Sequence, residues 1–193
     1  MNFKSSNKNI VLYCNKKIKT KVILLNRKTY TEKYAQLTDP IRKNSKGIKI
    51  IRSLDKITTT TVYLTYIVFL GILLFNRDSR FLRVLIAPAI SFVILSMFRG
   101  YNNAPRPYQE FDIEPIIVKD TQGKSFPSRH VFSTFLIAMT LYYISMPIGI
   151  SLMVIGSAIA LIRVIGGVHF PRDVIAGALI GIIFGIIGWN LRI

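Results

Sequence analysis

The chain has 193 residues, 51% of them hydrophobic and 18% charged, with 26 Lys and Arg against 9 Asp and Glu for a formal net charge of +17. Residues 1–57 hold 15 of the basic and 3 of the acidic residues, and the uncharged runs behind them recur at membrane-spanning length, which excludes an ordinary soluble domain and argues against a nucleic-acid partner despite the charge. Cys14 is the single cysteine, so neither a disulfide framework nor a thiolate metal cluster is available.

The N-terminus opens on charged and amide residues. Its apolar pieces, Ile10 to Tyr13 and Val22 to Leu25, are separated by Lys16, Lys17, Lys19 and Lys21, so neither a signal peptide nor a span is expected there. Residues 28–57 predict two short amphipathic helices divided around Asp39-Pro40 and Asn44 to Gly47, because proline disfavours helix in the residue before it. In the second, Ile48, Ile50, Ile51, Leu54 and Ile57 are interspersed with Lys49, Arg52 and Lys56. That pattern suits an apolar face in the membrane interface and a basic face toward anionic lipid headgroups. A partly ordered solubilising tail is the plainer alternative, and an arm for nucleic acid would lack aromatic stacking platforms.

From Thr58 onward five apolar segments follow: Thr59 to Phe75, Phe81 to Phe98, residues 131–146, residues 148–165, and Val174 to Trp189. The third and fourth come from one uncharged run, Val131 to Ile162, too long for a single crossing of a hydrocarbon layer of about 30 Å and broken by Pro147. Arg83 lies near one end of the second segment, where it can snorkel to the headgroups. Gly177, Gly181 and Gly185 recur every fourth residue, giving either a flat packing strip or the ordinary glycine enrichment of membrane helices. The expected fold is all-α, a polytopic membrane bundle of about five transmembrane helices (58–193) behind a basic arm (1–57).

This order of segments brings three polar clusters to one membrane face: Arg99 with Arg106-Pro107, then Ser128-Arg129-His130, then Arg163 with His169 and Asp173. Ionisable groups at membrane helices point to function, whereas headgroup anchoring explains an isolated arginine but not four with both histidines. Arg99, Arg106, Arg129 and Arg163 offer guanidinium forks for phosphate, and Ser128 as a helix N-cap adds free backbone N–H groups. The spacing of His169 and Asp173 lets the carboxylate orient one ring nitrogen and leave the other nucleophilic, with His130 as general acid. A metal held by two His and one Asp is the competing reading. The arginines already supply positive charge, however, and no further carboxylate or thiol lies nearby in sequence, so no metal or other cofactor is expected.

These clusters resemble the three signature motifs of the type 2 phosphatidic acid phosphatase (PAP2) superfamily, which includes metal-independent lipid phosphatases, soluble acid phosphatases and vanadium haloperoxidases. Lys, six residues, then Arg-Pro falls on Arg99 and Arg106-Pro107. Pro-Ser-Gly-His falls on Pro127-Ser128-Arg129-His130, and Ser-Arg, five residues, His, three residues, Asp falls on Ile162-Arg163, His169 and Asp173. Arg99 stands for the motif lysine, Arg129 for the glycine and Ile162 for the serine. The resemblance covers roughly residues 58–190 and implies a membrane lipid phosphatase. His169 would form a phosphohistidine, Asp173 would hold its ring, and His130 would protonate the leaving oxygen. Arg99, Arg106, Ser128, Arg129 and Arg163 would bind the phosphate.

A substrate whose tail stays in the lipid fits a site at the ends of apolar helices. Arg129 favours a diphosphate such as undecaprenyl diphosphate, with phosphatidate or phosphatidylglycerol phosphate as alternatives. A non-catalytic phospholipid-binding membrane protein and a vanadate-dependent haloperoxidase are the other classes. Five crossings put the site on the face of the basic arm, which the positive-inside rule assigns to the cytoplasm, whereas many resembled lipid phosphatases have six crossings and an outward site. A bacterial cell membrane is the expected location.

Overall fold

The computed structural model describes residues 28–191. The expectations for Ile10 to Tyr13 and Val22 to Leu25 lie outside the described residues. Among the described residues there are seven helices and no strand: α1 (28–42), α2 (Ser45–Phe75), α3 (Phe81–Asn102), α4 (Pro107–Glu110), α5 (Arg129–Tyr142), α6 (Met146–Ile165) and α7 (Pro171–Asn190).

The five apolar segments are α2, α3, α5, α6 and α7. Among the described residues, α2, α3, α6 and α7 are long and apolar enough to cross a membrane. The fifth, α5, has 14 residues and so spans about 21 Å, short of a hydrocarbon layer of about 30 Å. It is instead the central helix of the bundle. Val131 through Ala138 are all buried, and α5 packs chiefly against α7 and α6. The long uncharged run divides just ahead of Pro147. Leu141 O accepts from Ile144 N at 3.0 Å and Ser145 N at 2.8 Å, and Pro147 falls in the first turn of α6, where a missing N–H removes no helical bond.

The glycine strip of α7 is a packing surface. A Cβ on Gly177 would lie 2.8 Å from Ser128 O, one on Gly181 2.6 Å from Phe132 O, and one on Gly185 2.6 Å from Met139 Cβ. Gly149 and Gly156 of α6 approach α5 in the same way, against Tyr142 and Phe135. Close approach from two sides lets a short central helix be enclosed by longer ones.

The arm differs from the expected pair of short helices in two respects. Asp39-Pro40 does not break α1, and Lys43 N still donates to Asp39 O at 3.0 Å. The break falls at residues 43–44, where the Asn44 side chain accepts from Lys46 N at 3.0 Å and caps α2. Because no Pro or Gly follows between Ile48 and Leu70, the apolar and basic stretch up to Ile57 continues without interruption into the first crossing.

The arm docks over the polar end of the bundle. Tyr34 Oη donates to Ile165 O at 3.1 Å, and Arg52 Nε to Ile116 O at 2.7 Å. Arg42 pairs with Glu114 at 3.3 Å, and Tyr30 stacks on Phe111 with ring centroids 4.2 Å apart. Gly167 makes the turn from α6 toward α7 at φ +73, with Tyr34 Oη so near that a Cβ would come within 2.5 Å of it.

Candidate active site

The C-terminal ends of α3 and α6 and the N-terminal ends of α5 and α7 meet under the 103–128 segment. A cavity of about 580 Å³ opens there, lined among others by Arg99, Arg106, Arg129, His130 and His169. Both histidines therefore face one space. Ser128, Arg163 and Asp173 are buried.

The cavity is built by side chains holding backbone. Arg99 donates from its guanidinium to the carbonyls of Lys124, Ser125 and Pro127, the contact with Ser125 O being 3.3 Å. Arg106 gives Nε to Gly123 O at 3.0 Å and Nη1 to Val168 O at 3.1 Å, which ties the segment before α5 to the residue preceding His169. These two arginines thus shape the loops and also present charge to the cavity. Arg129 sits at the first position of α5 with its guanidinium carbon 5.7 Å from the Phe92 ring centroid. Ser128 is the N-cap residue, but its N–H is committed to Asp173 O at 2.9 Å. Its hydroxyl is buried without a hydrogen-bond partner among the described residues. The open donors of the helix start are therefore the first-turn amides beyond it.

His169 and Asp173 are 1% and 0% exposed. Their Nδ1 and Oδ2 atoms are 3.6 Å apart, slightly beyond a direct hydrogen bond. Ser125 joins them: its Oγ donates to Asp173 Oδ2 at 2.5 Å and lies 3.3 Å from His169 Nδ1, placed to accept the ring N–H. Asp173 Oδ2 also accepts from Phe170 N at 3.1 Å. The orienting contact expected between carboxylate and imidazole thus runs mainly through a hydroxyl, and with Nδ1 carrying the proton Nε2 is left with its lone pair.

Burial holds the proton affinity of His169 below that of ordinary imidazole. Arg106 and Arg163 push it the same way, and Asp173 opposes them. For His130 burial is again the first cause of a lowered pKa, followed by the charges of Arg163, Lys119 and Arg129. Both shifts favour the neutral rings. Lys119 is pushed down to about 8, by burial first and then by Arg163 and Arg106.

Three residues of this centre were not found by sequence reasoning. Ser125 stands two positions before Pro127, inside a polar loop with nothing to distinguish its hydroxyl. Lys119 follows the buried pair Ile116 and Ile117 and lines the cavity. Asp55, with Oδ1 2.9 Å from Arg163 Nε, was hidden in a stretch read for its lysines; an acid among apolar and basic residues was the available signal.

Residues 80–192 match the model of the PAP2 superfamily, more than half of the chain. The chain belongs to this superfamily. It is also 28% identical over 127 residues to the bacitracin transport permease protein BcrC of Bacillus licheniformis, a match covering 63% of each protein, so the chain spans less than two thirds of that relative. Among solved structures it is similar to LpxE of Aquifex aeolicus, with 25% identity and a TM-score of 0.65 over 83% of this chain and 94% of that one. It also shares its fold with a transmembrane PAP2-type phosphatidylglycerolphosphate phosphatase from Bacillus subtilis, with 19% identity and a TM-score of 0.62 over 84% and 85% of the two chains. With its apolar helices, this membership makes the chain an integral membrane protein.

Proposed function

We propose that this protein hydrolyses a membrane lipid phosphate or diphosphate through a phosphohistidine on His169. The observation that carries the reading is one cavity, at the end of apolar helices, lined by two histidines and a set of cations. His169 Nε2 attacks the terminal phosphorus, and its bond to the leaving oxygen, the lipid alkoxide of a monophosphate or the bridging oxygen of a diphosphate, breaks in line. The leaving oxygen takes a proton from His130. Burial and the charges of Arg163, Lys119 and Arg129 disfavour a proton on His130, and the negative charge of a bound phosphate offsets those cations and lets the ring hold it. Water then attacks the phosphohistidine with His130 as base, releasing inorganic phosphate. Asp173, through Ser125, keeps the His169 proton on Nδ1 and balances the charge that develops on the ring.

Arg99, Arg106, Arg129 and Arg163, with the α5 N-terminus behind Ser128, bind the phosphate oxygens, and stabilising the transition-state charge there is the main catalytic work. A diphosphate on a prenyl chain, such as undecaprenyl diphosphate, is the favoured substrate. Arg129, Lys119 and Lys124 line the cavity without an ion-pair partner among the described residues, a surplus of charge suited to a second phosphate. Phosphatidate and phosphatidylglycerol phosphate are the alternatives.

The PAP2-like domain is residues 58–193 in a bacterial cell membrane, and Asp55, at the end of the arm, joins its centre. Residues 1–57 meet anionic headgroups, a role supported by exposed Lys33, Lys43, Lys46 and Lys49 beside exposed Ile50, Leu54 and Ile57. Phosphate release from prenyl diphosphate, prenyl phosphate, phosphatidate and phosphatidylglycerol phosphate in mixed micelles, each against His169→Ala, tests the reading. A purified protein that binds these lipids and releases no phosphate would be a binding protein instead.

A further inference from the structure

Arg163 is the most enclosed cation of the site, with its side chain 2% exposed, and its counter-charge comes from outside the stretch that matches the superfamily. Asp55 of α2, 15% exposed, places Oδ1 2.9 Å from Arg163 Nε. The pair is close but not aligned as a hydrogen bond, and Nη1 of Arg163 is buried with no partner among the described residues. A buried guanidinium with one nitrogen anchored and another open is prepared for a further acceptor. α2 is fastened at this level, because Arg52 Nε donates to Ile116 O at 2.7 Å and Ile51 packs on the cluster of Ile117, Ile162 and Val168. Val168 immediately precedes His169, and its N–H donates to Arg163 O at 3.2 Å. The helix that carries Asp55 is thus pinned to the same short segment that carries Arg163 and the nucleophile.

Resting on the phosphatase reading, we infer that Asp55 is a positioning residue that fixes Arg163 beside the two histidines and offsets its charge, making the N-terminal arm a working part of the site. Besides its burial, His130 faces charge from Arg163, Lys119, Arg129 and His169, of which Arg163 weighs most against its protonation. The Asp55 carboxylate acts on that largest contribution. Without it, Arg163 keeps its charge but loses both its anchor and its counter-ion, so the oxygen it should hold is misplaced and the acid form of His130 is scarcer.

The nearly isosteric Asp55→Asn, in the purified full-length protein, tests this. The expected result is a kcat lower by up to about 10²-fold, the scale of a displaced catalytic group. Inorganic phosphate, measured as a competitive inhibitor, is expected to bind at least as tightly as to the wild type, because positive charge is uncovered. The alkaline limb of the kcat profile moves to lower pH, and Asp55→Glu recovers part of the rate. In an Arg163→Ala background Asp55→Asn causes no further loss, since it acts through the guanidinium. Wild-type kcat in Asp55→Asn would overturn the inference, as would a multiplied loss in the double variant. Parallel loss of kcat and phosphate affinity would also overturn it, marking Asp55 as a fold contact only. Failure of the wild type to release phosphate from any lipid is a separate result, which removes the phosphatase reading and this inference together.

Discussion

The two ends of the bundle use the same residue types for opposite purposes. At the opposite end from the cavity, connections are short and cations are few: Asp78 pairs with Arg80 at 2.6 Å in the link between α2 and α3. There Arg83 lies 5.5 Å from the Trp189 ring centroid, and Tyr143 stacks on Trp189 at 4.8 Å. This is an interfacial anchor, with aromatic rings and a snorkelling arginine. At the cavity end, Arg99, Arg106 and Arg163 are buried, each satisfied only in part, and held by loop carbonyls or by one carboxylate. An arginine that anchors is only half-buried, as Arg83 is, and keeps its charge within reach of the headgroups. An arginine enclosed without full pairing stays only where the surrounding structure holds it and something else is to be bound.

The sharpest way to break the contrast is to remove the nucleophile. His169→Ala is expected to abolish phosphate release and the trapping of labelled phosphate on the protein, while leaving thermal unfolding close to that of the wild type. A phosphoenzyme in that variant would end the assignment. Next, Arg106→Ala removes both a charge from the cavity and the tie between Gly123 and Val168. The expected loss in kcat/KM is on the order of 10²–10³, the scale of a lost oxyanion donor. Ser125→Ala should cost less, about tenfold to 10²-fold in the rate of phosphoenzyme formation, because Asp173 remains and only the hydroxyl that connects it to Nδ1 is gone. Wild-type phosphoenzyme kinetics in that variant would mean that the 3.6 Å contact suffices alone.

How far the sequence reached follows from the range of the interactions. The helices and the convergence of Arg99, His130, Arg163 and His169 were legible because apolar run length and polar flanks are local properties. The role of Gly177, Gly181 and Gly185 was legible as a possibility, and the approach of Ser128 O and Phe132 O decides it. The brevity and burial of α5 were not, since a membrane-facing segment and a bundle-centre segment are equally apolar. Ser125 and Asp55 were missed for a further reason. Their partners are 48 and 108 positions away along the chain, so only the folded topology makes them neighbours. Asp39-Pro40 was overweighted, as a local preference against helix yielded to the docking of α1 through Tyr30, Tyr34 and Arg42.

Acidity gives a test of the cavity end that needs no substitution. His169 must be unprotonated to attack, and burial lowers its pKa in the folded protein. Activity is therefore retained as pH falls through the ordinary imidazole range and is lost only below it, as protonation removes the Nε2 lone pair. The same shift has a stability sign: the unfolded chain binds the proton more readily, so the contribution of His169 is present above the unfolded pKa of about 6.5 and declines as pH falls below it. An acid limb of kcat/KM at or above the ordinary imidazole value would contradict the buried placement.

The smallest effect is expected at the opposite end. Arg83→Ala deletes a half-buried cation over an indole, a contact worth about 0.5–2 kcal/mol according to how far it is desolvated. It leaves the stack of Tyr143 on Trp189 in place. The loss should register as a slight fall in unfolding temperature in detergent, with kcat and KM for the lipid phosphate unchanged, because no hydrogen bond or ion pair links Arg83 to the cavity loops among the described residues. Tight coupling between the ends would instead show as a kcat change in Arg83→Ala. The rigid path for it exists, since Gly188 of α7 packs so tightly on Ala87 of α3 that a Cβ there would lie 2.9 Å from the Ala87 Cβ, one turn beyond Arg83, and α7 begins at the nucleophile's own turn. The expectation of no effect rests on α7 carrying that contact at its C-terminal end, more than 20 Å of helix away from Asp173 by the rise of about 1.5 Å per residue.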